Sequence, residues 1–364
     1  MEGLEPPRLA ALDPKSSVST NFTTSACFPN FQTEKRRKDR QIVHSAIGSS
    51  DKHAHPAKVF TFAQSPRMPS FTPSELPVAQ LHGLLLGAIG PRPIAFASTL
   101  DEDGRPNLAP FSFFNVFSAN PPILIFSPAR RGRDNTTKHT FENAMAVPEV
   151  VINIVSHAMV EQMSLASNEF DKGVNEFEKA GFSMKASDVV KPWRVAESPA
   201  QFECRINEVV QLGKQGGAGN LIICEVLRFH ISDEVMNGEG KIDQNLIDSV
   251  GRMGGNWYVR AHGAALFEVA KPGQNPAIGF DKIPEDIRSS TVLSGNDLGQ
   301  LGGVQELPDE TEVNEWRLTE LSELFVSMEE DPRQLEDTLH RKAAELLSEK
   351  KVKEAWLTLL SFNN

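Results

Sequence analysis

Residues 91–127, P-R-P-I-A-F-A-S-T-L-D-E-D-G-R-P-N-L-A-P-F-S-F-F-N-V-F-S-A-N-P-P-I-L-I-F-S, leave room for little but an antiparallel fold. Ile94 to Leu100 is apolar and suits a pleated strand, and Asp101 to Gly104 supplies a tight turn. Asn107 to Phe114 runs extended again. The paired proline Pro121-Pro122 then breaks the chain, and Ile123 to Ser127 makes a third short strand. The spacing predicts a three-stranded meander. Its small polar residues, Ser98, Thr99, Asn107, Ser112 and Ser127, gather at strand ends and turns. A rim of hydroxyls and free amides beside a β-surface suits a phosphorylated aromatic cofactor, with hydroxyls on the phosphate and main-chain N–H groups at the ring edge.

The middle of the chain repeats this grammar. Val150 to Val155 is an all-apolar strand, and Gln201 to Leu212 alternates Phe202, Cys204 and Ile206 against Glu203, Arg205 and Asn207. G-K-Q-G-G-A-G-N at 213–220 turns the chain into a return strand, Leu221 to Ile231, and M-N-G-E-G-K-I at 236–242 forms a smaller turn. Helix signals are sparse. T-P-S-E at 72–75 reads as a helix start, a short helix opens near Asn135 or Thr136, and Ser156 is placed to cap a helix over 157–167 with Met159, Met163 and Leu165 inward. Residues 168–194 read as a polar loop. Many short strands with few helices between them predict a mainly β protein, an antiparallel Greek-key barrel with flanking helices.

Both ends differ from this middle. Residues 1–70 are rich in Ser, Thr, Asn and Pro and read as a disordered extension, with a basic K-R-R-K-D-R at 35–40 and His53 and His55 two apart. After Ala261 the strand pattern stops. Residues 272–308 read as an irregular arm of an ordered domain spanning 71–308. Residues 309–364 form an acidic helical extension. Its first stripe is Trp316, Leu321, Leu324, Phe325 and Met328. Asp331-Pro332 is a cap, and a second stripe runs from Leu335 through Leu360. Helices this short must bury those faces against something, and a protein partner is one outlet.

Net charge is −11, which argues against nucleic acid as the main partner. From Gln300 to Asn364 there are 15 acidic and 7 basic residues, so most of the excess sits in the tail. Three cysteines, Cys27, Cys204 and Cys224, are too separated for a disulfide framework or zinc site and point to a reducing, cytoplasmic setting. No apolar run reaches the ~20 residues of a membrane span.

Several ordered blocks resemble the flavin reductase-like family, FMN-binding split-barrel proteins of the flavoredoxin kind. They are P-R-P-I-A-F-A-S-T, N-L-A-P-F-S-F-F, P-P-I-L-I-F-S, K-H-T-F-E-N-A, Q-M-S-L-A-S, E-S-P-A-Q-F-E-C, G-N-L-I-I-C-E-V and G-R-M-G-G-N-W-Y, across roughly residues 70–308. The resemblance implies a split barrel holding FMN at a homodimer interface, with NADH or NADPH as reductant. It places Ser98, Thr99, Ala109, Pro110, Phe111 and Ser112 along the ring edge and ribityl chain. Ser127, Arg130 or Arg131, Lys138 and Thr140 become phosphate ligands, and Asn220, Arg252 and Tyr258 fall on the substrate or nicotinamide side. The chain departs from the family where K-D-T becomes Lys138-His139-Thr140, and where G-A-G-N puts Asn220 in place of a G-D-H histidine.

No Ser-His-Asp order, paired catalytic carboxylates, P-loop or metal cluster stands out, and no residue is assigned a catalytic role. Flavin chemistry asks the protein only to place a nicotinamide over the ring. Two functions stay open on these residues: an NAD(P)H:flavin oxidoreductase, or a non-catalytic flavin carrier or sensor whose helical tail docks a protein partner.

Overall fold

The computed structural model describes residues 68–363, apart from 272 and 274. The tail features at 35–40, His53, His55 and Cys27 lie outside the described residues. A helix, α1 (Val78–Ala88), leads into four strands: β1 (Ala95–Leu100), β2 (Pro106–Phe111), β3 (Phe114–Ala119) and β4 (Pro122–Phe126). Then come α2 (His139–Ala146), β5 (Glu149–Asn153), α3 (Val160–Ala166), α4 (Glu176–Ala180), β6 (Met184–Lys185) and β7 (Arg194–Val195). A long hairpin of β8 (Ala200–Gln211) and β9 (Asn220–Ile231) follows, then a short one of β10 (Val250–Arg252) and β11 (Tyr258–Arg260). The last part holds α5 (Glu285–Arg288), α6 (Gly295–Leu301), α7 (Glu310–Glu320), α8 (Ser322–Ser327), α9 (Pro332–Ser348) and α10 (Val352–Leu360).

The main sheet has seven antiparallel strands in the order β2-β1-β5-β8-β9-β4-β3. Its two edge strands, β2 and β3, are consecutive in the chain and separated only by Ser112 and Phe113. Laid flat, seven strands at ~4.8 Å spacing would hold those edges about 29 Å apart. The linker spans at most about 10 Å. The sheet must therefore curl until its edges meet, which gives a barrel split between β2 and β3. The expected single strand from Asn107 to Phe114 is really these two edges, broken at the split. Pro106 and Pro110 suit an edge, since neither has an N–H to give to a ladder.

One face of the sheet fills the barrel with Ala95, Ala97, Phe126, Ile152, Cys204, Ile222 and Cys224, joined by Ala144 of α2. The other face, with Phe96 and Leu108, packs under Met159, Met163 and Phe177 from the α3–α4 region. β1 is buried on both faces, as a strand covered on each side must be. The expected polar loop at 168–194 thus contains α4, anchored by fully buried Phe177. Leu165, expected inward, is exposed. A single 3-10 turn, Pro73–Glu75, does start after Thr72, without a cap from the Thr72 side chain, and α1 follows at Val78. Nor does Ser156 cap its helix.

Residues 278–304, expected to be irregular, carry α5 and α6. Their Ile287, Leu298 and Leu301 share one apolar cluster with Ala343, Leu347, Trp356 and Leu359. Trp316, Leu321, Leu324, Phe325 and Met328 meet Leu335 and Leu339 in a second cluster, so the two amphipathic stripes bury each other. Asp331 accepts from the Gln334 amide at 3.0 Å, with Pro332 opening α9. Among the described residues no helix is long and apolar enough to cross a membrane.

Candidate functional site

A cavity of about 470 Å³ opens where the barrel is split. The β2 edge and its exit give it Asn107, Ala109, Pro110, Phe111, Ser112 and Phe113. The chain after β4 gives Ser127, Ala129 and Arg131, and the start of α2 gives Lys138, His139 and Thr140. The end of α3 and the loop after it add Ala166 to Phe170, and His82, Leu86, Glu176 and Arg252 close the rest. Apolar and polar groups are mixed, and the volume falls within the ~300–1,000 Å³ usual for small-ligand sites.

The start of α2 is electrostatically odd. Its N-cap is Lys138, which offers no acceptor, so the first-turn amides of His139 and Thr140 lack a side-chain cap. Caps are normally Ser, Thr, Asp or Asn, and a cation beside the positive end of a helix is unfavourable. Arg131 lies close by, its guanidinium donating to Thr136 Oγ1 at 3.1 Å and to the Thr137 carbonyl. Burial holds the His139 imidazole below its usual pKa, and Arg131, Lys172 and Lys138 push the same way against Glu142. Uncapped amides, two cations and a hydroxyl at one corner form an anion-binding arrangement.

A buried polar network fixes that corner. Asn107 Nδ2 donates to Thr140 Oγ1 at 2.9 Å and to Thr99 Oγ1 at 3.3 Å, and Asn143 Nδ2 donates to Thr99 Oγ1 at 3.1 Å. Thr99 therefore sits behind the wall and sets Asn107 and α2. On the β2 edge, Glu176 Oε2 accepts the Leu108 amide at 2.9 Å. Burial pushes the Glu176 carboxyl above the usual carboxylate range, against the pull of that amide. At the far side, buried Arg92 donates to the Leu86 carbonyl and the Met253 carbonyl, both at 2.8 Å, and to the Ile89 carbonyl. It clamps the C-terminus of α1 to the strand carrying Arg252, whose guanidinium lies 4.5 Å over the Tyr258 ring.

Of the residues expected from sequence, Ala109, Pro110, Phe111, Ser112, Ser127, Lys138, Thr140 and Arg252 share this cavity. Ser98, Thr99, Arg130, Asn220 and Tyr258 do not line it. Ser98 is fully buried on the sheet face away from the barrel interior. Arg130 is spent on Asn135, with its Nε 2.8 Å from Oδ1, and its neighbour Arg131 takes the cavity position. Asn220 is fully buried too. Its amide reaches Ser127 Oγ at 3.0 Å and its Nδ2 reaches the Pro128 carbonyl at 2.8 Å, so it shapes the wall instead of facing a ligand. A Cβ on Gly219 would stand 2.9 Å from Ser127 Oγ, which is why the hairpin return needs glycine there. Tyr258 reaches the site only through Arg252.

Asn107, which the sequence places in the polar rim without a specific ligand, lines the cavity. His82, Glu169, Glu176 and Arg92 carry no such signal, because they depend on loops and helices that only the fold brings near.

Comparison with known proteins bears on the fold and the family. The model of the flavin reductase like domain matches residues 88–248. An uncharacterised protein of Aquifex aeolicus is 38% identical over 189 residues, which is 52% of this chain and 94% of that protein. The solved structure of nitrilotriacetate monooxygenase component B from Bacillus cereus is 29% identical with a TM-score of 0.53, over 56% of this chain and 100% of that one. The 2-nitrobenzoate 2-nitroreductase NbaA of Pseudomonas fluorescens is 25% identical with a TM-score of 0.51, over 58% and 100%. The chain belongs to the flavin reductase-like family, and its barrel is a split barrel of that family. It is a flavin-related oxidoreductase by class, with a C-terminal helical bundle lying beyond the residues that the family model matches.

Proposed function

We propose that this chain binds FMN in the cavity at the split and works as an NAD(P)H-dependent flavin reductase. The observation carrying the reading is the uncapped start of α2, where Lys138, Arg131, the Thr140 hydroxyl and two free-ended amides converge beside an apolar slot. These residues fit the group. A phosphate monoester carries about −1.5 to −2 charges at pH 7 and would supply the missing cap. Phe111, Phe113, Leu86 and Phe170 supply apolar walls for a ring.

When bound, FMN supplies the hydride and electron chemistry. The protein's share is placement. Lys138, Arg131 and Thr140 would hold the phosphate, with Asn107 and Thr99 keeping Thr140 in position. Ser112 and the unpaired β2 edge would meet the polar rim of the ring. Arg92 holds α1 over the slot, which excludes water from one side, and Arg252 stands ready for an anionic group of the reductant. Electrons would pass to free flavin, a partner oxygenase or another small acceptor. A similar protein named as a monooxygenase component favours the second of these. Exposed Val116 and Phe117 on edge strand β3, with Leu227 and Phe229 on β9, support a homodimer.

The test is the visible spectrum of the purified protein with added FMN, before and after anaerobic NADH or NADPH. A bound-flavin spectrum that bleaches rapidly is expected. A protein that takes up no FMN ends the reading, and one that binds FMN without bleaching leaves a carrier.

A further inference from the structure

Three cations converge on one carboxylate at the cavity. Glu169 Oε1 lies 2.8 Å from Arg131 Nε and 3.3 Å from Lys138 Nζ, and its Oε2 meets Arg133. Glu169, Arg131 and Lys138 all line the cavity. The carboxylate comes from a separate element, the loop after α3, more than thirty residues along the chain. Ser167 and Asn168 in that loop bond only locally, to Ser164 and Leu165. Besides Glu169, its tie to the barrel side is Lys172 on Glu142, at 3.1 Å. Phe170, next to Glu169, forms part of the cavity wall.

We propose that Glu169 is the built-in occupant of the phosphate subsite, a carboxylate that competes with the flavin phosphate for Arg131 and Lys138 and so limits the preference for the phosphorylated cofactor. This rests on the FMN reading given above. A carboxylate and a phosphate ask the same thing of an arginine–lysine pair: oxygens that accept charge-assisted hydrogen bonds. Each exposed ion pair is worth only ~0.2–1 kcal/mol, so a dianion with several oxygens displaces Glu169, but against a standing opposition. The opposition persists across the working pH range. The hydrogen bond from Arg131, with Arg133 and Lys138, holds the Glu169 carboxyl down to about 2. Displacement also frees the loop bearing Phe170, which couples phosphate arrival to the ring wall.

The test compares FMN and riboflavin binding by flavin-fluorescence titration in wild type, Glu169→Gln and Glu169→Ala. Glu169 is partly exposed, and matching thermal midpoints check that the variants fold. Both variants are expected to bind FMN about tenfold more tightly, equivalent to ~1.4 kcal/mol, with riboflavin affinity unchanged within about twofold. In the unaltered protein, inorganic phosphate should speed amide hydrogen exchange across 167–173. Wild type that binds FMN, with binding unchanged or weaker in both variants, overturns the competition alone, because Glu169 would then be organising the cations. No FMN binding by any of the three proteins removes the FMN reading and the competition with it.

Discussion

The barrel and the C-terminal bundle bury apolar side chains in similar fashion but treat polar atoms differently. In the bundle the buried polar residues are His340, Thr358 and Ser361, and each is served by a neighbour. Trp316 Nε1 donates to Thr358 Oγ1 at 3.1 Å, Ser361 donates to the Leu357 carbonyl at 2.7 Å, and His340 Nδ1 lies 2.7 Å from Ser290 Oγ. The barrel buries many more, among them Thr99, Asn107, Thr140, Asn143, Asn153, Glu176, Glu203 and Asn220. Arg92 Nε, Ser98 Oγ and Asn220 Oδ1 have no partner among the described residues. Two of these belong to side chains that brace the cavity wall, while nothing in the structure explains the hydroxyl of Ser98. A body that has only to be stable satisfies its polar groups internally. A body built around a polar ligand carries extra polar groups to hold its donors in place.

The largest expected effect tests whether the two bodies are independent. Trp356 is fully buried, and its Nε1 donates to the Leu301 carbonyl at 3.1 Å. Trp356→Ala should cost the bundle about 3–5 kcal/mol, seen as a lowered unfolding transition. Flavin affinity below that transition should stay unchanged, and a parallel loss of affinity would break the comparison. Next comes Lys138→Ala. Removing a charged donor should weaken FMN about 10–100-fold and leave riboflavin nearly untouched, while the melting temperature moves little. Equal losses for both flavins would move the phosphate away from α2.

These two sites were unequally legible in the sequence. The bundle's second stripe could be read because i, i+4 spacing puts Leu335, Leu339, Ala343 and Leu347 on one face whatever lies opposite. The strands could be read because alternation survives in Phe202, Cys204 and Ile206. Glu203 broke that reading: by alternation it belongs outside, yet it is fully buried. The amides of Asp188 and Val189, at 2.9 and 2.7 Å, and His230 at 2.7 Å satisfy it there. They come from a loop and a neighbouring strand that no local pattern could place. The same holds for the cavity. Lys138 and Thr140 stood out in a short motif, but Glu169, Glu176 and Arg92 act across the fold. The choice between Arg130 and Arg131 depends on one turn at Asn135, whose φ of 60° no residue count reveals.

Acid should separate the bodies by a smaller margin. Burial holds the His340 imidazole below its usual value, against Glu336, Asp286 and Asp337. Its contribution is therefore full above the unfolded value of about 6.5 and is lost as pH falls through the folded one. Burial alone would raise Glu203, but the amides of Asp188 and Val189, His230 and the amide of Val190 outweigh it and hold the carboxyl below its usual range. That contribution is present above about 4.3 and is lost only as pH falls further. Between pH 7 and 5.5 the bundle should lose a few degrees of melting temperature while the barrel holds. Trp316 and Trp356 report on the bundle by fluorescence once Trp193 and Trp257 are replaced by Phe. His340→Gln should flatten the change. A barrel transition that falls first would reverse the ordering.

The smallest effect has the opposite sign and lies at the cavity itself. Glu176 is buried with its carboxyl pushed up, so the folded state resists its ionisation. Stability linked to this group is full below the unfolded carboxylate value and declines as pH rises through the raised folded one. Glu176→Gln keeps an acceptor for the Leu108 amide and removes the charge. It should raise the melting temperature by about 2 °C at pH 7.5, the size that under ~1 kcal/mol produces in a chain of this length, with no gain at pH 4. The bundle, which buries no carboxylate, offers no such gain. A stabilisation at pH 7.5 accompanied by weaker flavin binding would show that the barrel tolerates the unfavourable charge for the sake of its ligand. An equal gain at both pH values would trace the effect to packing instead.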